Sequence, residues 1–213
     1  EVITPGTVTD ENLLEKTANN FLVSVCSSGQ ALALASIDLS TGYFAATHFP
    51  ASGPAERLRR EFLSLAPREV LVQESTLEEH EALRSLLAER EGLVVNRLPD
   101  WSFDPRSNRE LLERQFRVAS LKGFGLEEGS PEIPAAGVLL SYLADTARGL
   151  LPHVRSLSLY SEASFLGLDE STLRNLEIVQ NLNDRTRRYT LLELLDQSRT
   201  AAGSRKLKRW LLR

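Results

Sequence analysis

Cysteine, methionine and histidine are scarce in this sequence. Its 213 residues include one cysteine, Cys26, three histidines and no methionine. A single thiol excludes an intramolecular disulfide and every metal site built from several thiolates, and it fits a reducing compartment. The chain lacks even an initiator methionine, and its last residues, 210–213, stop inside a helical pattern without a cap. We therefore expect a piece of a longer polypeptide.

Long apolar runs are also missing. The longest ones, such as Leu32 to Ala35 and Ala135 to Leu140, are far shorter than the roughly 18–20 residues that a membrane span needs. The amino terminus does not resemble a signal peptide. Hydrophobic residues make up 42% and charged residues 25% of the chain, which is ordinary globular usage. We expect a soluble, cytoplasmic protein with one large or two modest domains and no membrane contact.

The net charge of −4 excludes a generic polybasic nucleic-acid module, but the charge is distributed unevenly. Residues 185–213 contain nine basic and two acidic side chains. This segment predicts either contact with DNA phosphates or a solvated helix face beside an acidic partner domain. The candidate phosphate contacts are Arg205, Lys206, Lys208 and Arg209.

The residue pattern predicts a mixed α/β fold. Apolar and β-branched segments over 21–27, 31–38 and 43–49, separated by turn residues, indicate a three-stranded antiparallel meander. Helical spacing around Leu58 to Leu65 is followed by a predicted strand over 69–73. A second predicted helix around Leu83 to Leu87 is followed by a predicted strand over 93–95. The helical crossovers should place these later strands parallel to a neighbour.

Helices dominate the second half. Asp104 followed by Pro105 is a typical helix start and predicts a helix from Asp104 to Ala119. A strongly apolar helix opened by Pro131 and Pro134 follows, and then an extended segment over 157–160. The remaining helices are predicted to begin at Asp169, at Thr190, and at Ser198 or Thr200. The apolar stripe of the helix that begins at Asp169 should consist of Leu173, Leu176 and Val179. In the last helix, Gly203 indicates a close crossing with another helix.

Catalytic patterns are absent from the sequence. There is no P-loop, and the glycines at 123, 125 and 129 are out of register for a dinucleotide fingerprint and follow a helix. His48, His80 and His153 have no partner at metal-ligand spacing, and Cys26 lies in an apolar strand. The meander is similar to the ribonuclease H-like architecture, but its first strand has no carboxylate, and Asp38 is better explained as a turn residue than as a metal ligand. We assign no catalytic, cofactor or metal residue.

Several strings in the second half resemble the MutS family of DNA mismatch repair proteins, in the family's order. They are Leu151-Pro152-His153-Val154-Arg155, residues 168–177, Asn181-Leu182, residues 191–196 and residues 203–211. Residues 4–7, with Asp10, Glu11 and Leu14, and residues 37–42 resemble the opening of the family's connector domain.

The resemblance implies a linker over 1–16, a ribonuclease H-like connector domain over 17–155, and the first helices of the all-α core or lever domain over 156–213. It implies that the whole protein is a homodimer that binds mismatched duplex DNA and is a DNA-dependent ATPase, with ATP and magnesium bound outside this region. The chain itself should be a non-enzymatic relay, monomeric in isolation, with MutL as a partner.

We consider the helix after Asp104 a candidate MutL-binding face, with an ordinary solvated helix as the alternative. Its charged residues are Arg106, Arg109, Glu110, Glu113, Arg114 and Arg117. Direct DNA binding through residues 185–213 is the second hypothesis, and metal-dependent nuclease activity the third.

Overall fold

The computed structural model describes residues 4–7, 19–146, 148–161 and 170–212. The predicted helix start at Asp169 and most of the predicted linker over 1–16 lie outside the described residues. None of the described helices is both long and apolar enough to cross a membrane.

The predicted meander is confirmed. Strands β1 (Phe21–Ser28), β2 (Ala31–Asp38) and β3 (Tyr43–Pro50) pair antiparallel in sequence order. Asp38 is fully buried at the end of β2, and its Oδ1 accepts hydrogen bonds from the backbone N–H of Ser40 (3.0 Å) and from the Ser40 hydroxyl (2.6 Å). Its predicted role in the turn is therefore also confirmed.

Two further strands extend the sheet on the other side of β1. Helix α1 (Ala55–Leu65) leads to β4 (Glu69–Gln73), which pairs parallel with β1. Helices α2 (Glu74–Glu79) and α3 (Glu81–Ala88) lead to β5 (Val94–Leu98), which pairs parallel with β4. The sequence did not indicate α2, because a helix of six residues is too short to show a hydrophobic period.

The carboxyl half of the α/β region packs on the other face of the sheet. A 3-10 turn (Asp100–Phe103) leads into α4 (Pro105–Phe116), and a second 3-10 turn (Leu121–Phe124) precedes α5 (Glu132–Thr146). A third such turn covers Arg148–His153. The predicted extended segment contributes β6 (Ser158–Leu159), parallel to β3, and the sheet order is β5-β4-β1-β2-β3-β6. This confirms a mixed α/β fold.

The sheet is buried on both faces. On one side α1 and α3 cover alternate residues of β1 such as Phe21 and Val23, and on the other side α5 covers Leu22 and Cys26. Because α5 lies between the sheet and α4, it is apolar nearly all round, as expected of a buried helix. Burial also raises the pKa of the Cys26 thiol, so the predicted role as a small buried apolar residue is confirmed.

Three helices follow in the carboxyl-terminal segment: α6 (Glu170–Asn175), α7 (Leu191–Leu195) and α8 (Ala201–Leu211). Thr190 and Thr200 cap α7 and α8, as predicted, through side-chain oxygens that accept backbone N–H bonds from Glu193 and Gly203.

Two predictions for this segment are wrong. The stripe of Leu173, Leu176 and Val179 does not form one helix face, because α6 ends at Asn175 and Leu176 is 58% exposed. Glu177, which is left-handed at φ 47°, turns the chain there. Gly203 lies in the first turn of α8, and a Cβ there would meet Ser198 and Thr200 of its own cap, so it marks no helix crossing.

Candidate functional site

Helix α4 has well-defined ends. Asp104 Oδ2 accepts hydrogen bonds from the backbone N–H of Ser107 (2.8 Å) and from its hydroxyl (2.7 Å), and these bonds hold the pKa of Asp104 below its usual range. At the other end, Arg117 is left-handed (φ 56°) and the N–H of Val118 donates to the carbonyl of Glu113. The helix therefore ends three residues before the predicted Ala119.

The inner side of α4 lies unusually close to α5. A Cβ built at Gly137 of α5 would lie 2.3 Å from the Cβ of Asn108, so only glycine allows this approach. Asn108 is buried, and its amide donates to the carbonyls of Ser102 and Asp104, both at 2.9 Å. The close helix crossing that the sequence indicated at Gly203 is found here instead.

A second contact fixes α4 to the chain that returns towards β6. The amide of Gln115 donates to the carbonyls of Leu151 (2.7 Å) and Val154 (2.9 Å). Leu112, on the same helix, is fully buried. With its inner side held in this way, α4 presents its outer side as a rigid surface.

The six charged residues predicted as a partner face all lie on α4 or its cap, but they are not equally accessible. Arg106, Glu110, Arg114 and Arg117 are exposed, whereas Arg109 and Glu113 are half-buried. The Arg106 Nε lies 3.5 Å from a Glu110 carboxylate oxygen, and Arg109 donates to the carbonyl of Glu127 at 3.2 Å. An exposed ion pair of this kind contributes little to stability. Either charge can therefore exchange this contact for one with a binding partner at little cost.

Sequence reasoning missed Trp101 as part of this surface. Its side chain is 78% exposed in the 3-10 turn that leads directly into α4, whereas Phe103 of the same turn is buried. Exposed tryptophan beside arginine is the composition that protein interfaces favour at their centres. In the sequence, Trp101 stands between the polar residues Asp100 and Ser102 and outside any apolar period, and this was the available sign that it is exposed.

Three of the four predicted phosphate contacts are neighbours on the surface of α8, because Lys208 and Arg209 follow Arg205 by three and four residues. Arg205 is only 5% exposed, and Lys208 is half-buried at a cleft between α8 and α1. The Lys206 ammonium lies 5.1 Å from the ring centre of Trp210, and the Arg209 guanidinium lies 4.1 Å from that of Tyr43 in β3. These cation–π contacts orient the two side chains, and the second one joins α8 to the sheet.

Asp196 holds the carboxyl-terminal helices together. Its side chain is 6% exposed and accepts hydrogen bonds from the Ser204 hydroxyl and the Arg187 guanidinium, and from the backbone N–H of Ser198 at 3.1 Å. The bond from Ser204, followed by that from Arg187, holds the pKa of Asp196 well below its usual range.

A fully buried carboxylate, Glu69, connects β4 to residues 4–7. Its Oε2 accepts bonds from the Thr4 hydroxyl (2.6 Å) and the Gly6 N–H (2.9 Å). Its Oε1 accepts bonds from the Asn96 amide (2.7 Å) and the Tyr142 hydroxyl (2.6 Å). Burial, followed by the bond to Glu69, raises the pKa of Tyr142 to about 12. The donors come from three separate parts of the chain, namely residues 4–7, β5 and α5, so Glu69 positions the segment that precedes the sheet.

The described residues offer no cation site of the usual kind, since none of them forms a group of three or more His, Cys, Asp or Glu side chains that could hold a metal ion. The closest arrangement is a single pair, in which His48 Nδ1 lies 2.6 Å from Glu132 Oε1. Glu132 is buried at the start of α5, so this pair explains its burial as a structural contact between α5 and β3.

Comparison with known proteins identifies the family. Residues 20–155 match the model of MutS domain II, and residues 171–213 match that of MutS domain III. The chain is 39% identical, over 98% of its length, to the DNA mismatch repair protein MutS of Treponema denticola, and 40% identical over 99% to that of Desulfosudis oleivorans. It covers 25% and 24% of these relatives. The chain therefore belongs to the MutS family of DNA mismatch repair proteins and contains its connector domain.

Proposed function

We propose that this chain relays mismatch recognition to the ATPase of a MutS-like protein and offers a docking surface for MutL. The proposed parts are a linker over 1–16, the connector domain over 17–155, and the first helices of the core or lever domain over 156–213. The whole protein would be a cytoplasmic homodimer that binds mismatched DNA and hydrolyses ATP with magnesium, both bound outside this chain. The chain itself would be a monomer without catalytic activity.

Contacts on two strands of the sheet support the relay. Glu69 bonds residues 4–7 to β4, and the Arg209 guanidinium packs on Tyr43 of β3. Strands β1 and β2 lie between them, in a sheet that is buried on both faces. Because packed interiors resist compression, a displacement at residues 4–7 would move the sheet as a unit and would act on α8 through the contact between Arg209 and Tyr43.

The exposed Trp101 beside α4 is the observation that carries the MutL proposal. Trp101 is 78% exposed in the turn that leads into α4, and Arg106, Glu110 and Arg114 are exposed on the helix that follows. A central aromatic anchor would supply affinity, and the surrounding charges would set partner choice and association rate.

A calorimetric titration of the chain with the matching MutL amino-terminal domain tests this surface. We expect saturable binding that Trp101→Ala weakens at least tenfold, since anchor residues contribute about 2 kcal/mol or more. Trp210→Ala is the matched control, because Trp210 is also exposed (63%) but lies on α8. Exchanging the charges in Arg106→Glu/Glu110→Arg keeps the pair within the helix and should slow association.

Two results would contradict the docking proposal. One is equal weakening by Trp101→Ala and Trp210→Ala in proteins with unchanged circular dichroism. The other is full affinity in both Trp101→Ala and the charge exchange, which would remove this surface from consideration.

We rank direct DNA contact through Arg205, Lys206, Lys208 and Arg209 second. The burial of Arg205 and the cation–π contacts of Lys206 and Arg209 favour structural roles for these side chains. Direct DNA contact would appear as a steep loss of duplex affinity with rising salt, because each neutralised phosphate releases counterions.

A further inference from the structure

A basic cleft of about 830 Å³ lies between the α/β region and the carboxyl-terminal helices. One wall is the end of α1 and the turn that follows it, including Leu63 and Ala66. The other wall combines the end of α6, the chain that follows it and the end of α8, including Leu173 and Leu212. The cleft therefore exists only where the two parts of the chain meet.

The cleft is strongly positive. Six basic side chains line it, five of which are arginines, and no described lining residue is acidic. They are Arg68, Arg90, Arg174, Arg185, Lys208 and Arg209. Like charges that converge on a concave surface repel one another, and low-dielectric walls focus their field, so the arrangement favours a bound anion.

Several of these cations are held in place by the fold. Arg185 is exposed in a left-handed conformation (φ 58°) within a turn built around Asn181. Asn181 is buried, its Oδ1 accepts the N–H groups of Asn183 and Asp184, and its amide donates to the Arg188 carbonyl, all at 3.0 Å. The guanidinium of Arg90 lies 5.5 Å from the ring centre of Phe62, in α1. Binding an anion here would need little reordering of the protein.

Three exposed arginines that line the cleft have guanidinium groups without a protein partner among the described residues. Arg68, Arg174 and Arg185 are exposed, and their guanidinium groups make no ion pair or side-chain hydrogen bond within the described part of the chain. Guanidinium binds both carboxylate and phosphate oxygens in a bidentate manner. Several converging guanidinium groups favour an anion that carries several negative charges on a small volume, as an oligophosphate does.

The size and lining of the cleft favour a compact ligand over a polymer. Its volume falls in the range of about 300–1,000 Å³ that is typical of small-molecule sites. The lining includes no aromatic side chain that could stack on the bases of a nucleic acid. We propose that this cleft binds a compact oligophosphate anion, either a nucleoside triphosphate or inorganic triphosphate, and that the bound anion joins the carboxyl-terminal helices to α1.

Isothermal titration of the 213-residue chain with inorganic triphosphate, and separately with magnesium-free ATP, tests the proposal. We expect saturable one-to-one binding at low salt and a rise in thermal stability. Arg174→Gln/Arg185→Gln should weaken the affinity for inorganic triphosphate at least tenfold. The matched control, Arg155→Gln/Arg199→Gln, removes two exposed arginines that do not line the cleft and should change the affinity less than twofold. Equal affinity for both ligands would indicate that only the phosphates are recognised, and tighter ATP binding that the nucleoside also contacts the cleft.

A 20-nucleotide single strand provides the contrasting arm. Binding that is tighter for the oligonucleotide, grows with its length and is not displaced by triphosphate would overturn the compact-ligand proposal in favour of a nucleic-acid backbone. Absence of triphosphate binding to the folded chain would overturn it outright, as would equal weakening by the two double variants. None of these outcomes depends on MutL, so failure here is distinguishable from failure of the docking surface.

Discussion

Replacing Glu69 with glutamine tests the most constrained polar group in the structure. The side chain is fully buried and accepts hydrogen bonds from Thr4, Gly6, Asn96 and Tyr142. A carboxylate can accept all four bonds, whereas a glutamine has one carbonyl oxygen and would turn an N–H₂ group towards two of the donors. On either side, the hydroxyl of Thr4 or Tyr142 can rotate and accept a bond from the new N–H₂ group, whereas the N–H of Gly6 or Asn96 cannot. Glu69→Gln therefore retains the shape of the side chain but leaves one N–H donor without an acceptor.

The magnitude follows from the lost bond. A hydrogen bond to a charged group contributes about 1.5–3 kcal/mol, so Glu69→Gln should destabilise the protein by about this amount. Urea unfolding followed by circular dichroism measures this difference, and the m-value should stay unchanged if the variant folds normally. Tyr142→Phe removes one donor and is the milder variant, with an expected loss of about 1–2 kcal/mol.

Two further measurements make the reasoning refutable. Glu79→Gln, which changes an exposed glutamate of α2, should alter the stability by less than about 0.5 kcal/mol. In Glu69→Gln the pKa of Tyr142 should fall from about 12, because the variant removes a negative charge that favours the protonated form of the tyrosine. Ultraviolet titration of tyrosinate would detect this change. A loss of stability below about 1 kcal/mol for Glu69→Gln would refute the four-bond description.

The close α4–α5 contact and the Asp196 cluster give two further predictions. Gly137→Ala should destabilise the protein by about 1–3 kcal/mol in urea unfolding, because the added Cβ would overlap Asn108. Gly123→Ala is the control, because a Cβ there would meet nothing within 4 Å and the backbone is not at positive φ. For Asp196, whose pKa is depressed, the stabilisation is fully present above about pH 5, one unit above the unfolded value near 4, and is lost progressively as the pH falls below that. Asp196→Asn should therefore reduce stability at pH 7 and flatten its acid dependence, and an unchanged slope below pH 5 would count against that assignment.

The strands were predictable because their signals are local. The alternation in β1 to β3 and the glycine-containing turns between them are visible in the sequence, so the predicted bounds differ from the observed ones by at most one residue. In β5 the polar residues Asn96 and Arg97 interrupt the apolar run, and the strand was predicted to end at residue 95 although it continues to Leu98. Helix α6 was overextended because its end depends on Glu177 adopting a positive φ, which no hydrophobic period reports.

The functional features depended on contacts between distant parts of the chain. The donors to Glu69 come from positions 4, 6, 96 and 142, and a glutamate within an apolar strand gives no indication of them. The charge on α4 was visible in the sequence, but the accessibility of its members was not, since Arg109 is held by the carbonyl of Glu127. Trp101 was visible too, but the sequence did not indicate that it is exposed while Phe103 of the same turn is buried.

The way in which the two parts meet bears directly on the proposed relay. Leu173, Ile178 and Leu192 are buried, yet none of them belongs to either core of the sheet. The described contacts between the parts include the stacking of Arg209 on Tyr43 and the basic cleft. Contacts of this polar kind can rearrange without exposing an apolar core, so the carboxyl-terminal helices can change their angle to the sheet while both remain folded. The proposed relay needs two rigid parts and an interface between them that can rearrange. It also needs charges at this interface whose neutralisation favours one orientation of the carboxyl-terminal helices relative to the sheet.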